Sequence, residues 1–274
     1  MMRYAVIGNP VKHSLSPVMH MAGFLASGID ASYEAITVPS GELDAYVQML
    51  SEQYHGWNIT YPYKEDMIKY LDDVSEEAQA LGAVNTVKNE RGKLYGYNTD
   101  GAGFVAAVQN AGFVPAGNRV AVIGAGGAAR AVIYALAKEE AEITIVNRNQ
   151  QKAGELARQI ENKFGRPVNC VPFDKGEWML SSGLIIQGTP IGMQDEPFPL
   201  VLEGIKEKVL AVDLIYKPLQ TNFLKQAQNL GCRIMNGLEM LLYQGAYAWD
   251  IWFGRKAPVE NMRKALYSAL EKES

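Results

Sequence analysis

The chain has 274 residues, enough for about two domains and for a core that needs no disulfide or metal staple. A composition of 48% hydrophobic and 20% charged residues excludes a disordered, collagenous or coiled-coil protein, and a net charge of −4 argues against a nucleic-acid-binding surface. Two cysteines in short apolar runs, three histidines without ligand spacing and no apolar run of ~18 residues point away from a disulfide framework, a metal site and a membrane span. The first apolar run breaks at Gly8 and Pro10, too early for a signal peptide, so the sequence reads as a soluble, cytoplasmic protein.

The first third alternates β-rich and helical segments. Strands are predicted at 3–7, 31–38 and 56–59, and helices at 19–27 and 42–51, with a short helical piece at 64–70. Residues 83–89 and 93–97 flank Arg91-Gly92 and read as a β-hairpin. Asp100 stands as an N-cap signal before a helical run at 101–111.

From Asn118 the texture changes. Strands at 119–123, 142–146, 168–171, 184–187, 209–214 and 232–235 alternate with helices that end near 138 or span 150–163 and 221–229. That alternation implies βαβ units and a parallel sheet covered on both faces. Two helices, 238–253 and 259–272, end the chain.

The strongest local signal is the run Gly124, Ala125, Gly126, Gly127, Ala128, Ala129, Arg130. It follows a predicted strand and opens a predicted helix, the setting of a dinucleotide-binding turn. Gly124 permits the tight turn, Gly126 lets backbone approach a pyrophosphate, and Ala129 allows close helix–strand packing. The next strand ends in Asn147, Arg148 and Asn149, with Lys152 one helical turn on, where an NAD-binding protein usually carries a carboxylate. A guanidinium there pairs with a 2′-phosphate, which favours NADP(H). The plain alternative is a solvated helix start.

Polar clusters punctuate the first third: His13-Ser14-Leu15-Ser16-Pro17, Asn58 to Lys64, Asn85-Thr86 and Asn98-Thr99-Asp100. All follow predicted strands or open helices, where loops gather around a crevice. Their hydroxyls, amides, one ammonium and one carboxylate suit a small polyhydroxylated acid. Each also has a bland reading. Ser16 before Pro17 and Asp100 before Gly101 fit helix caps, and Lys64 fits an ordinary surface lysine.

In this order the clusters resemble the shikimate dehydrogenase family. The matching stretches are GNPVKHSLSP (8–17), NITYPYK (58–64), GAVNT (82–86), YNTDGAG (97–103), GAGGAAR (124–130), NRN (147–149), TPIGM (189–193), DLIYKP (213–218) and NGLEMLLYQG (236–245). The resemblance implies a fold of an N-terminal α/β substrate domain, 1–102 plus 237–274, and a Rossmann-type NADP-binding domain, 103–236. It implies that Ser14 and Ser16 hold a substrate carboxylate, and that Thr60, Asn85 and Gln244 bond the substrate. Tyr216 would be a further neighbour and Asn58 a supporting member. Lys64 and Asp100 would form the catalytic pair, with the ammonium facing the hydride-bearing carbon of the cofactor.

On the cofactor side the resemblance implies that Gly124, Ala125, Gly126, Gly127 and Ala128 cradle the pyrophosphate. Asn147, Arg148, Asn149 and Lys152 would surround the 2′-phosphate, and Leu214 and Gly237 would meet the nicotinamide end. Two departures stand out: Asn149 replaces a common threonine, and Gln187-Gly188 replaces asparagine and a small residue. The implied activity is reversible NADPH-dependent reduction of 3-dehydroshikimate to shikimate in aromatic amino-acid biosynthesis, by a protein whose partner is a small molecule; a homodimer is compatible with it. The alternatives are a quinate/shikimate dehydrogenase using NAD as well, a nucleotide sensor without turnover, and a folate-type dehydrogenase, which the serine-rich site fits poorly.

Overall fold

The computed structural model describes residues 1–174, 176–205 and 208–271. The chain runs β1 (Met2–Gly8), α1 (Ser16–Ala26), β2 (Ala31–Thr37), α2 (Leu43–Gln53), β3 (Gly56–Ile59), a 3-10 turn (Asp66–Tyr70), β4 (Asp73–Val74), α3 (Glu76–Leu81), β5 (Thr86–Glu90), β6 (Lys93–Tyr97) and α4 (Asp100–Asn110). It continues with β7 (Arg119–Ile123), α5 (Gly127–Lys138), β8 (Glu142–Val146), α6 (Gln150–Phe164), β9 (Asn169–Val171), α7 (Glu177–Ser181), β10 (Leu184–Gln187), β11 (Leu210–Asp213), α8 (Asn222–Asn229) and β12 (Arg233–Met235). The last helices are α9 (Leu238–Phe253) and α10 (Val259–Glu271). Two compact units emerge: Met1–Gly103 with the chain from Leu241 onward, and Phe104–Met240. Residue 237 stays with the second unit, where its N–H bonds the Ile215 carbonyl.

The first unit is built on a six-stranded sheet ordered β2-β1-β3-β5-β6-β4. β1 runs parallel to β2 and β3, whereas β5 is antiparallel to both β3 and β6. Arg91 and Gly92 both take positive φ, 57° and 89°, the backbone of a tight hairpin turn matched to strand twist. Alternation in β1 divides the core: Tyr4 and Val6 pack with Phe24, Trp249 and Trp252, while Ala5 and Ile7 pack with Leu50, Trp57 and Met67. Both faces are therefore covered, and the C-terminal helix α9 supplies one of the covers. Its Trp252 indole donates to the Val87 carbonyl at 2.9 Å.

In this mixed topology the C-terminal ends of β1, β3 and β6 and the start of β5 lie at one end of the sheet, because Asn58 pairs with Thr86 and Thr86 with Tyr97. Every polar cluster picked out in the first third follows or precedes one of these ends.

Close approach of α4 and α9 depends on Gly103. A Cβ there would lie 2.5 Å from the backbone nitrogen of Gln244 and 2.8 Å from its Cα, so the helices would have to separate. Overpacking of this kind costs about 1–3 kcal/mol. Gly103→Ala is expected to lower Tm by several °C. A variant with wild-type Tm would show that the two helices part freely.

The second unit holds a fully parallel sheet ordered β12-β11-β10-β7-β8-β9. Its central strands are near-continuous apolar runs, with all four residues of β10 and of β11 buried. Counting the six strands in chain order, the arrangement is the dinucleotide-binding one, and the order reverses between β7 and β10, opening a crevice at their carboxyl ends.

Two local expectations change. Asp100 is not the cap of α4 but its first residue, and its N–H bonds Asn98 Oδ1 at 3.1 Å. Ser16 likewise lies inside α1, with Leu15 ahead of it and no side-chain cap. Both side chains are thereby released from capping.

Candidate active site

At the strand ends of the first unit, Lys64 Nζ lies 2.5 Å from Asp100 Oδ2, with the lysine side chain 29% exposed and the carboxylate 10%. Backbone bonds fix both. The Lys64 carbonyl accepts from Val84 N–H at 2.8 Å, and Asp100 sits at the head of α4. Asn85 Nδ2 donates to the other carboxylate oxygen at 2.7 Å, so Asp100 is held from two sides. A half-buried ammonium pressed on an oriented carboxylate can give up and recover a proton at one defined point.

Around this pair lies a buried polar network. Tyr33 hydroxyl donates to Asn58 Oδ1 at 2.7 Å, and Asn58 Nδ2 donates to the Asn85 carbonyl and Thr86 Oγ1 at 3.1 and 3.0 Å. Asn85 Oδ1 accepts from Thr99 N–H at 2.9 Å and from Thr86 hydroxyl at 2.9 Å, while its second amide hydrogen goes to Thr99 Oγ1. Asn58 thus has every amide group engaged and supports the site from beneath. A ligand reaching Asn85 has to exchange with the Thr99 contact.

The chain at the end of β1 stands beside the β3 loop. Asn9 N–H bonds the Tyr61 carbonyl, Thr60 N–H bonds the Ile7 carbonyl, and the Thr60 methyl lies over Gly8. Ser14 is half-buried and accepts from Ser16 N–H at 3.3 Å; Ser16 is buried. Thr60 is half-buried, as is Gln244, whose amide donates to the Leu241 carbonyl of its own helix.

In the second unit a cleft at the sheet's switch point is lined by Gly124, Ala125 and Gly126 after β7, Asn147, Arg148 and Lys152 after β8, and Gly188 to Ile191 after β10. Gly124 takes φ 110° and backs onto the Gly188 carbonyl, so a side chain there is excluded twice over. Gly126 and Gly127 differ: a Cβ on either would meet nothing within 4 Å, and Gly126 has ordinary extended backbone. Neither fold nor packing requires glycine there, and the space beside both is open to a ligand. Ala128 lies in the first turn of α5, whose N-terminus has no side-chain cap and leaves amide N–H groups for phosphate. These observations fit a dinucleotide.

Arg148 and Lys152 are both exposed, and neither has an ion-pair partner among the described residues. Asn149 caps α6, its Oδ1 accepting from Lys152 N–H at 3.0 Å, and Asn147 Nδ2 holds the Asn149 carbonyl at 2.8 Å. The asparagine in place of threonine therefore serves the helix start that presents Lys152. Gln187 is fully buried and pins the 189–191 loop: its amide donates to the Thr189 and Ile191 carbonyls, and its oxygen accepts from Thr189 N–H and hydroxyl.

Leu214 and Gly237 are brought together, since a Cβ on Gly237 would strike the Leu214 carbonyl. Tyr216 follows them on this second unit, half-buried. The loop springs from Asp213, which had no role in the sequence reading. It accepts from Thr221 hydroxyl at 2.6 Å and from Ile215 N–H at 3.0 Å. Burial pushes its carboxyl up to about 6, against 3.8 normally. The protonated form is thus favoured by folding, and that stability is complete below pH ~4 and lost as pH rises through about 6. Asp213→Asn, which cannot ionise, is expected to gain Tm relative to wild type across that window and hold the gain above it. The shift caps the gain at about 3 kcal/mol. Thermal melts from pH 4 to 8 check this, and a pH-independent difference would contradict it.

Asp213 opens the DLIYKP stretch without a role of its own there, and Tyr33 and the cleft-lining Phe173 belong to no motif, so no sequence signal could have found them. Among the described residues no group of three or more His, Cys, Asp or Glu could hold a metal, and no helix is long and apolar enough to cross a membrane.

A parallel sheet with a phosphate-ready turn, and a separate unit bearing a lysine–aspartate pair among hydroxyls and amides, define the two-unit dinucleotide-binding α/β class. Residues 6–87 match the family described as shikimate dehydrogenase substrate binding domain, 107–182 match shikimate / quinate 5-dehydrogenase, and 237–267 match the shikimate 5'-dehydrogenase C-terminal domain. The chain belongs to the shikimate dehydrogenase family. It is 43% identical to the NADP(+) shikimate dehydrogenase of Desulfitobacterium hafniense over 97% of this chain and 98% of that one, and 41% identical to that of Nitrosopumilus maritimus over 96% and 97%. The structure of shikimate 5-dehydrogenase from Thermus thermophilus in complex with NADP(H) and shikimate matches with TM-score 0.89 and 38% identity, covering 98% of this chain and all of that one.

Proposed function

We propose that the protein catalyses the reversible NADP(H)-dependent interconversion of 3-dehydroshikimate and shikimate. The observation that carries this reading is the 2.5 Å Lys64–Asp100 pair, set among the hydroxyls and amides that a polyhydroxylated acid requires. Ser14 and Ser16 receive the carboxylate, and Thr60, Asn85, Gln244 and Tyr216 address the remainder of the substrate. Residues 124–128 would hold the pyrophosphate and Arg148 and Lys152 the 2′-phosphate of NADP(H), which when bound would supply the hydride.

Reduction of a ring ketone builds negative charge on its oxygen, which needs a proton as the charge forms. Lys64 delivers that proton and recovers it in the reverse direction. Asp100 keeps the ammonium aimed and accepts from the substrate hydroxyl.

Cys170 and Cys232 form no disulfide, which suits a reducing compartment, and we assign the protein to the cytoplasm. Assembly as a homodimer is a separate proposal, decided by sedimentation at assay concentration. The function is tested by following nicotinamide absorbance with shikimate, quinate and no substrate, each with NADP+ and NAD+. Turnover is expected to be greatest with shikimate and NADP+. Cofactor binding without shikimate-dependent turnover would overturn the reading, and equal turnover of quinate with NAD+ would broaden it to a dual quinate/shikimate dehydrogenase.

A further inference from the structure

The connection from β10 to β11, residues 188–209, departs from the usual crossover of a parallel sheet. Such crossovers are mostly helical, yet among its described residues there is neither helix nor strand. An irregular segment of this length has backbone N–H and C=O groups with no ladder to join. Side-chain amides meet that need at intervals. Asn222 Nδ2 donates to the Asp195 and Glu196 carbonyls at 2.9 and 3.0 Å, and Gln226 Oε1 accepts from Leu202 N–H at 3.0 Å. Gln187 holds the first turn, residues 188–191, which is the part of the connection that lines the dinucleotide cleft.

Every hydrogen in this turn has a place. The two amide hydrogens of Gln187 go to the Thr189 carbonyl at 3.0 Å and the Ile191 carbonyl at 2.7 Å. Its oxygen accepts from Thr189 N–H at 2.7 Å and from the Thr189 hydroxyl at 2.8 Å. That spends the single hydrogen of the hydroxyl, whose oxygen in turn accepts from Ile191 N–H at 3.3 Å. Gln187 is fully buried at the end of β10, and its main-chain carbonyl accepts from Leu214 N–H at 2.9 Å. The turn it holds leans on the glycine-rich one: Gly188 N–H bonds the Ile123 carbonyl, and a Cβ on Gly124 would lie 3.1 Å from both the Gly188 oxygen and the Thr189 methyl. Gln187 does not itself line the cleft.

We propose that Gln187 is a positioning residue for the cofactor: from within the sheet it holds residues 188–191 in place as one wall of the dinucleotide cleft before any ligand arrives. This rests on the functional reading above. Gln187 acts through Thr189 and Ile191 and touches no ligand. A wall that is already ordered spares the ligand the cost of ordering it. The wall lines the cleft together with the glycine turn as well as with Arg148, so its effect falls on the dinucleotide as a whole, with or without a 2′-phosphate.

The test uses Gln187→Met, which keeps a side chain of similar length and removes the four hydrogen bonds of the carboxamide. In the cofactor-free protein the amides of Thr189 and Ile191 are expected to exchange hydrogen at least ~10-fold faster, and those of β8 by a smaller factor. Fluorescence titration is expected to show Kd raised about 10-fold for NADPH and for NADH alike, with the ratio between them within ~2-fold of wild type. The KM for shikimate at saturating NADP+ is expected to stay within ~2-fold. Thr189→Val removes only the hydroxyl and leaves both carbonyl contacts, and it is expected to move the same exchange rates and both Kd values about 3-fold. Unchanged exchange in the turn, unchanged Kd despite faster exchange, or a loss confined to NADPH would overturn the proposal. Should Gln187→Met not fold, Thr189→Val decides by the same readings. If wild type itself binds neither NADPH nor NADH, the functional reading falls instead, so the two failures are distinct.

Discussion

Lys64→Ala is expected to lower kcat by at least ~100-fold while leaving the KM for shikimate within a few-fold, the scale and signature of losing a proton donor that acts in the transition state. The geometry makes the experiment readable. Asp100 keeps its bond from Asn85 when the lysine is gone, so the carboxylate stays in place and Thr99 and Thr86 keep their partners. What disappears is the ammonium 2.5 Å away. Removing it also leaves a largely buried carboxylate without its counter-charge, which costs stability. Thermal melts recorded beside the kinetics separate that cost from the chemical one. Near-normal turnover in a folded variant would take Lys64 out of the reaction, and a rise in KM with unchanged kcat would make it a binding group only.

The second large effect is expected at Arg148. It is exposed at the carboxyl end of β8, lines the cleft with Lys152, and has no ion-pair partner among the described residues. Truncating it therefore breaks nothing internal, and its whole effect falls on the ligand. A guanidinium on phosphate makes paired, charge-assisted hydrogen bonds worth roughly 2 kcal/mol, or about 30-fold. Arg148→Ala is expected to raise the KM for NADP(H) by that factor and to leave the KM for NAD(H) within ~2-fold. Steady-state titrations with both cofactors measure the contrast. Equal losses with both would place the arginine on the adenosine or the pyrophosphate rather than on the 2′-phosphate.

Particular residues mark where sequence reading succeeds and where it stops. The strands of the second unit lie within about a residue of their expected bounds, because both faces of a parallel sheet are buried and each strand is a short apolar run between turn signals. The Arg91-Gly92 turn was legible for the same local reason. Short elements were not: α3 and α7, with six and five residues, are too brief to express a helical period, and β4 has only two. Asp100 showed how one residue type serves two purposes, since a carboxylate before a glycine looks like a cap until its actual partner, 36 positions away, is in view. Ser16, before a proline, likewise looks like a cap but lies inside its helix. Tyr33 lay beyond reach altogether, because an aromatic residue in a strand signals core and its hydroxyl finds Asn58 only when β2 and β3 flank the same neighbour.

The split arrangement of the first unit bears on its birth. Residues 104–240 form an unbroken stretch and hold all six strands of their own sheet, so that half of the molecule is complete before the last helices leave the ribosome. Until then Tyr4, Val6 and Phe24, synthesised first, lack the tryptophans of α9 that cover them. The first unit's sheet thus waits for α9 with an aromatic flank bared.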